Sequence, residues 1–427
     1  MRLNGDSVGR ERAPRHGLPG GGAMLPISMN SPSAASPLPA SNSIWTAFLP
    51  LLPLMLTVFV GFLAMGIALP VVPRHVHDVL GQGTVVVGLV MGSQYISSVL
   101  GRMGAGGLTD TRGPRRAALA GLVAACGVGI TYLACVPFTD SPRVALALLV
   151  AARLLTGITE SFIITSTMAW GLVRVGPAHA GKVFGWMGVA LFGGFAAGAP
   201  LGTALYARFG FAGVAVAVSL TAAANLVGTS FMRGVTPSTL PRLPFYRVLH
   251  VVKLPGLGLT LCSVGYAMIA AFAVLLFGQR GWGGGALAVT FMGLGFIAGR
   301  LLFGHLPDQV GGARVALYCV LVEAVGLALI WAAPHPAWAW AGAALGGGGY
   351  GLGFQGFGLE AVRRAPPQSR GSAMGAYVIF QDIAMGLAPP LGGLLADTAG
   401  LGAVYLAAAF GALGAAGVAA TLVRKAA

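Results

Sequence analysis

Four ionisable side chains stand near the middle of long apolar runs: Arg153, Glu160, Glu323 and Asp382. A charged side chain is costly inside a bilayer, so each of them is a candidate for function if the runs cross a membrane. Arg153 and Glu160 are seven residues apart, which places both on one face of a helix. We expect this pair to line a cavity and to take part in binding a proton or a substrate. The alternative is a structural ion bridge to neighbouring helices.

Asp382 follows Gln381, and its carboxyl group is a candidate proton carrier because a cavity of low dielectric favours the neutral acid. The alternative is an aspartate that hydroxyl groups and water satisfy. Uncharged polar residues in other runs could hydrogen-bond a sugar or another neutral polyol, or could hold helices together. These residues are Gln94, Tyr95, Asn225, Tyr350 and Gln355.

The composition places these side chains in a membrane protein. Of the 427 residues, 56% are hydrophobic and 9% are charged, and the mean hydropathy is +0.81, whereas a soluble domain carries about 25% charged residues. The apolar runs are about 20 residues long without alternation, which indicates helices rather than a barrel. We therefore predict an all-α membrane protein.

Twelve apolar runs follow one another from Trp45 onward. They cover residues 45–70, 84–108, 117–137, 143–170, 181–206, 211–232, 255–278, 286–306, 313–333, 337–359, 371–396 and 401–423. With the N-terminus inside, most Lys and Arg residues fall in cytoplasmic segments, as the positive-inside rule requires. The net charge of +15 therefore faces anionic lipid rather than nucleic acid.

The chain divides into four predicted parts. Residues 1–43 are rich in Pro, Gly, Ser and Arg, which indicates a disordered cytoplasmic tail, with Met24 and Met29 as alternative starts. Residues 44–232 and 255–427 are two bundles of six helices. The polar segment 233–254 links them as a cytoplasmic loop.

The two bundles repeat one another. The stretch "GRMGAGGLTDTRGPRRAAL" at 101–119 returns as "GRLLFGHLPDQVGGARVAL" at 299–317 with one constant offset, which we call the gate spacing. A second set, which includes Pro200 and Pro390, recurs with a slightly shorter offset, the proline spacing. Parallel six-helix repeats of this kind are typical of one large transporter fold. We call 106–116 and 304–314 the two gate turns; their repeated residues are Gly106, Asp110, Gly113, Arg116, Gly304, Asp308, Gly311 and Arg314.

The first gate turn resembles the loop signature of the major facilitator superfamily (MFS), although Thr111 and Pro114 stand where that family usually has basic residues. Stretches such as "ALPVVPRHVHDVLGQGT" and "GFGLEAVRRAPPQSRGSAMGAY" resemble the bacterial YhhS/YfcJ branch. The resemblance implies a twelve-helix carrier whose gate turns latch the cytoplasmic side. It also implies that Asp382 lies on a helix that lines the central cavity. Glu323 lies on a peripheral helix, where we expect a structural, hydrogen-bonded glutamate, with coupling as the alternative.

Further motifs bear on direction and gating. "GGFAAGAPLG" resembles an antiporter signature, with Ala199 displacing the proline by one position; Gly194, Gly198, Pro200 and Gly202 carry the likeness. Near the cytoplasmic helix ends, Arg102 and Arg300 are expected to reach the interface or to pair with Asp110, Asp308 or Glu360.

Other chemistry is not indicated. The four cysteines lie in apolar runs without a CxxC pair, which favours reduced thiols. The sequence "RHVHD" at 74–78 has no further ligand cluster, so we interpret it as a solvated loop. No phosphate-binding loop of the GxxxxGK[ST] type occurs, and we expect neither a cofactor, nor a metal, nor enzyme activity.

We therefore expect a proton-coupled antiporter of the bacterial inner membrane, with both termini cytoplasmic. It would act as a monomer and export a small polar or amphiphilic compound such as a sugar or xenobiotic. Two alternatives stay open: a proton symporter that imports a sugar or organic acid, and a receptor or scaffold that moves no solute.

Overall fold

The computed structural model describes residues 44–176, 179–235, 245–365 and 370–426, and no strand occurs among them. The helices are α1 (Ile44–Ala68), α2 (Val71–Arg74), α3 (Thr84–Arg112), α4 (Pro114–Cys135), α5 (Pro142–Val175), α6 (Ala180–Ser230), α7 (Phe245–Gln279), α8 (Ala286–Phe303), α9 (Leu306–Val310), α10 (Gly312–Ala332), α11 (Pro336–Arg364), α12 (Arg370–Ala399) and α13 (Leu401–Ala426). The prediction of an all-α membrane protein is confirmed. The predicted tail lies outside the described residues.

Ten helical segments in the described part are long and apolar enough to cross a membrane. One of them belongs to α6, whose 51 residues bend at Gly210 between the fifth and sixth predicted runs. The 29-residue α11 is not among the ten, because its many glycines lower its hydropathy. When α6 is counted as two spans and α11 is added, the structure is consistent with twelve spans.

The repeated turns share one backbone conformation. Gly113 precedes α4 with φ 89° and ψ 155°, and Gly311 precedes α10 with φ 95° and ψ 141°. A side chain would be strained at these positive φ values, so both copies require glycine. Gly210 and Gly400, which are related by the proline spacing, also have positive φ. The second pair of turns therefore follows the same repeat.

Helix packing repeats as well. A Cβ atom on Gly157 of α5 would collide with the carbonyl oxygen of Gln94 on α3, and one on Gly347 of α11 would collide with the carbonyl oxygen of Met292 on α8. The two glycines are related by the proline spacing, and Gln94 and Met292 are related by the gate spacing. Small residues allow membrane helices to approach this closely. We call α1–α6 the N-terminal half and α7–α13 the C-terminal half.

The halves meet along two helix pairs, α3 with α12 and α6 with α8. On the first pair, the hydroxyl of Thr84 donates to the carbonyl of Gly393 at 2.8 Å and to Asp397. On the second, Phe192 stacks on Phe296 with ring centroids 3.7 Å apart. These two interfaces run beside the candidate site and determine which residues of one half reach the other.

Two predicted loops contain helix. Helix α7 begins at Phe245 rather than at 255, because Pro255 is accommodated inside it, as proline often is in membrane helices. Residues 74–78 were interpreted as a solvated loop, but they lie in α2 and a following π-helical turn. There His75 is buried and stacks on Phe211 at 4.2 Å. The four cysteines are free thiols.

Candidate functional site

An ion pair joins the two halves across the α3–α12 interface. Arg102 of α3 donates from Nε to Oδ2 of Asp382 at 2.5 Å and from Nη2 to Oδ1 at 2.9 Å. The Asp382 side chain is fully buried, and that of Arg102 is 13% exposed. A two-pronged geometry of this kind is the strong form of an arginine–carboxylate contact.

This ion pair corrects the expectation that Arg102 reaches the membrane interface or pairs with Asp110, Asp308 or Glu360. The carboxylate that it meets stands on a helix of the opposite half. A residue's position along its own helix does not reveal which helix of the other half faces it. Both members of the pair were named from the sequence, but not as partners.

Glu160 of α5 lies beside this pair. Its Oε2 accepts a hydrogen bond from Nε2 of Gln94 at 2.7 Å, and both residues are buried. The charges of Asp382 and Arg102 act on Glu160, so the three groups form one electrostatic cluster. Gly157, one turn before Glu160, permits α3 and α5 to approach closely enough for the hydrogen bond.

Buried tyrosines adjoin the cluster. Tyr95 of α3 is within electrostatic reach of Glu160 and Asp382. Tyr266 of α7 stacks on Tyr350 of α11 with centroids 5.4 Å apart, and Glu160 also acts on Tyr266. Aromatic rings with hydroxyl groups offer both apolar contact and hydrogen bonding. The predicted polar candidates Gln94, Tyr95 and Tyr350 therefore gather around the charged cluster.

Arg153 does not join this cluster through a bond. No hydrogen bond or ion pair links it to Glu160 in the described structure, and its Nε and Nη2 atoms lack an acceptor. Its side chain lies between α5 and the α1, α4 and α6 helices of its own half, where it lines a small cavity. The shared helix face predicted for Arg153 and Glu160 does not bring them into contact.

Glu323 of α10 is 1% exposed, and neither carboxylate oxygen has a hydrogen-bond donor in the described structure. The expectation of a hydrogen-bonded glutamate is therefore corrected. The reason lies in its neighbours: α7 presents Gly265 and α11 presents Gly349 to this side chain, and glycine offers no side-chain donor.

Several other candidates make hydrogen bonds or ion pairs outside the cluster. Asn225 donates to the carbonyl of Thr57 at 2.9 Å, joining α6 to α1. Gln355 donates to the carbonyl of Gly304 at 2.9 Å and so belongs to the second gate turn. Glu360 pairs with Arg364 of its own helix at 2.7 Å.

The gate turns lie at the ends of their helices. Arg116, Asp308 and Arg314 are exposed. In the first turn, it is Arg115 that reaches another helix, donating to the carbonyl of Ser230 at the end of α6. In the second half, Arg300 donates to the carbonyl of Gly181 at 3.1 Å and so connects α8 to α6 across the halves.

The antiporter-like stretch packs α6 on α1. Cβ atoms on Gly194 and Gly198 would lie 2.6 Å from the carbonyl oxygens of Phe59 and Leu63, and Gly202 continues the same row. Pro200 has no N–H group that could donate to the carbonyl of Ala196, four residues earlier in the helix. That carbonyl instead accepts a hydrogen bond from Thr290 of α8 at 2.9 Å. The proline thus frees an acceptor for the opposite half.

Comparison with known proteins agrees with this architecture. The family model of the Major Facilitator Superfamily matches residues 54–384, with a second match over 256–426. An uncharacterised MFS-type transporter of Salmonella typhimurium is 39% identical over 370 residues, which cover 86% of this chain and 95% of the relative. One of Burkholderia mallei is 39% identical over 394 residues, which cover 91% and 95%.

Solved structures share the fold at low identity. A variant of the nucleoside transporter NupG superposes with a TM-score of 0.70 at 13% identity, covering 87% of this chain and 99% of that one. The human organic anion transporter MFSD10 superposes with a TM-score of 0.65 at 16% identity, covering 86% and 98%.

Proposed function

We propose a proton-coupled transport cycle for this chain, which belongs to the Major Facilitator Superfamily of membrane transporters. In this proposal the protein exports a small polar or amphiphilic compound in exchange for protons. The two halves expose the central site to one side of the membrane at a time. The observation that carries the proposal is the buried Arg102–Asp382 pair between the halves, with Glu160 beside it.

The setting of this cycle is also proposed. Both termini lie in the cytoplasm and the protein works as a monomer in the bacterial inner membrane, within the YhhS/YfcJ branch. The distribution of Lys and Arg along the sequence supports the orientation.

Asp382 and Arg102 act as the charge latch of the cycle. Separating α3 from α12 would leave two buried charges without partners, which is strongly unfavourable. The pair therefore favours the state in which these helices are joined. A change that neutralises or re-pairs one of its members lowers the free energy needed to separate them.

Glu160 is the proposed proton acceptor. Its carboxylate accepts a hydrogen bond from the neutral amide of Gln94, whereas Asp382 has a full positive charge as its partner. The neighbouring charge of Asp382 disfavours a second anion in this cluster. When Glu160 is deprotonated, it competes with Asp382 for Arg102 and weakens the latch. When Glu160 is protonated, Arg102 stays with Asp382.

Substrate and proton use the same site in this proposal. A compound that enters from the cytoplasm contacts Tyr95, Tyr266 and Tyr350 and displaces the proton from Glu160. The tyrosine rings suit an amphiphilic or polyol substrate. The names of the two structural neighbours point to different substrates, nucleosides and organic anions, so the fold does not select the compound.

Everted membrane vesicles with an imposed proton gradient test the proposal. Uptake of labelled sugars, organic acids and lipophilic dyes is compared for wild type, Glu160→Gln and Asp382→Asn. Glu323→Gln is the control, because it alters a buried carboxylate outside the cluster. We expect gradient-driven uptake of one compound class in wild type and Glu323→Gln, and its loss in both cluster variants.

Other outcomes separate the alternatives. Uptake only in right-side-out vesicles would reassign the protein as an importer that uses the same residues. Gradient-driven uptake that survives both cluster substitutions would refute the assigned roles of Glu160 and Asp382. If no member of the panel moves in either orientation while the purified protein is folded, the receptor or scaffold alternative is favoured.

A further inference from the structure

The side chain of Arg153 is buried in the N-terminal half, apart from the charged cluster, and two of its donors are unpaired. It is 1% exposed, and its Nε and Nη2 donors have no acceptor in the described structure. A guanidinium group stays protonated in proteins, so this is a full positive charge within the helix bundle. A buried charge without compensation is far more costly than an unpaired hydroxyl. We therefore expect a group that accepts hydrogen bonds and carries negative charge beside the guanidinium group.

Side chains near Arg153 share its lack of partners. The hydroxyl of Tyr132 on α4 and that of Thr159 on α5 are buried and make no hydrogen bond in the described structure. Both residues line the same cavity as Arg153. Three buried polar groups without partners therefore line one cavity. Native proteins leave few buried polar groups unpaired, so three of them at one place require an explanation.

The lining of the cavity has the chemistry of a small anion site. Its volume is about 20 Å³, room for one water-sized occupant. No Asp or Glu lines it; the rest of its wall is apolar apart from Thr156, whose hydroxyl donates to the carbonyl of Ala152 at 2.8 Å. The lining thus offers a cation and hydroxyl donors, without a competing carboxylate.

Glu160, on the same helix, does not supply the missing charge through contact. Its carboxylate is bonded to Gln94 and belongs to the cluster with Arg102 and Asp382. A water molecule would satisfy hydrogen bonds but would place no negative charge in contact with the guanidinium group. An apolar wall with one guanidinium group and hydroxyl donors suits a weakly hydrated monovalent anion.

We infer that Arg153, Tyr132 and Thr159 form a buried halide-binding site, with chloride as its physiological occupant. The halide accepts hydrogen bonds from the guanidinium group and the two hydroxyl groups. It neutralises the charge at the junction of α1, α4, α5 and the second part of α6. Binding therefore stabilises the N-terminal half. This inference concerns a site distinct from the proton and substrate cluster and does not depend on the direction of transport.

Thermal unfolding of the purified full chain tests the inference. The protein is exchanged into sodium gluconate, and chloride or bromide is titrated in at constant ionic strength. We expect a saturable rise in Tm with either halide, because a ligand that binds only the folded state stabilises it. Arg153→Gln should abolish the rise, and Tyr132→Phe, which removes one hydroxyl, should shift its midpoint to higher halide concentration.

A matched control is Tyr405→Phe, which removes a buried hydroxyl in the other half, where it donates to the carbonyl of Met268. Its halide response should equal that of wild type. If Arg153→Gln does not fold, the halide titration of Tyr132→Phe and the structure of crystals grown in bromide test the site instead. Anomalous density for bromide at Arg153 would support the site. A Tm that is independent of halide, with no bromide there, would overturn it in favour of water.

Discussion

The two interfaces between the halves occupy equivalent places in the repeat but use different chemistry. Arg102 on α3 and Arg300 on α8 are related by the gate spacing and therefore correspond. By the proline spacing, Asp382 on α12 corresponds to Phe192 on α6. Where one interface has an arginine–aspartate pair, the other has Phe192 stacked on Phe296, and its arginine reaches a backbone carbonyl.

The difference distinguishes the packing contacts, which both halves share, from the charged cluster, which occurs at one interface. Close glycine contacts recur in both halves, because they serve helix packing. The acids of the cluster do not recur: by the proline spacing, Tyr350 stands at the place equivalent to Glu160. In the proposed cycle a change in protonation acts directly on α3–α12, whereas α6–α8 is held by aromatic packing and by hydrogen bonds to backbone carbonyls. Protons in the proposed cycle therefore control the α3–α12 interface and not the α6–α8 interface.

Asp382→Asn should have the largest effect. It removes the carboxylate that is bonded to Arg102, and breaking a buried pair costs about 3–5 kcal/mol. We expect a large fall in the thermal stability of the purified protein and loss of gradient-driven uptake. The double variant Arg102→Gln with Asp382→Asn should recover much of the stability without transport. Equal stability of Asp382→Asn and wild type would show that the pair does not hold this interface.

Gly88→Val should have the next largest effect. A Cβ atom on Gly88 of α3 would lie 2.6 Å from the carbonyl carbon of Pro389 on α12, so a side chain forces the helices apart. Overpacking of this kind costs about 1–3 kcal/mol. Gly107→Val is the matched control, because nothing lies within 4 Å of a Cβ atom there. If both valine variants unfolded at the wild-type temperature, close packing at Gly88 would not stabilise the α3–α12 interface.

The spans and turns could be predicted because lipid and backbone geometry fix them locally. A bilayer dictates run length, and Gly113 and Gly311 mark turns that only glycine adopts readily. The partnership of Arg102 and Asp382 could not be predicted, because it depends on how two distant helices face each other. For the same reason the sequence did not reveal that glycines surround Glu323, or that His75 packs on Phe211.

Thr290→Val should have a smaller effect and probes the interface without buried acids. It removes the donor to the Ala196 carbonyl, which Pro200 leaves without its helical partner. Leaving that acceptor unsatisfied costs about 1 kcal/mol. Thr203→Val is the control, since Thr203 bonds only within its own helix, to the carbonyl of Ala199. We expect a Tm decrease for Thr290→Val alone; equal decreases would indicate that the contact between the halves contributes nothing specific.

Arg300→Gln should have the smallest effect, and it bears most directly on the asymmetry of the two interfaces. The guanidinium group of Arg300 donates to the carbonyl of Gly181, and no carboxylate is left buried when it is removed. We expect a stability loss below about 1 kcal/mol. Gradient-driven uptake should be retained, whereas Arg102→Gln should abolish it.

The measurement is the initial rate of uptake into everted vesicles at two sizes of proton gradient. The rate of Arg300→Gln should rise with the gradient as wild type does, and that of Arg102→Gln should not respond. If both arginine variants lost the response to the gradient, the two interfaces would share the coupling. The presence of an acid at position 382 would then not explain coupling. The α6–α8 interface, which has Phe192 at the equivalent position, would be equally necessary for the response to the proton gradient.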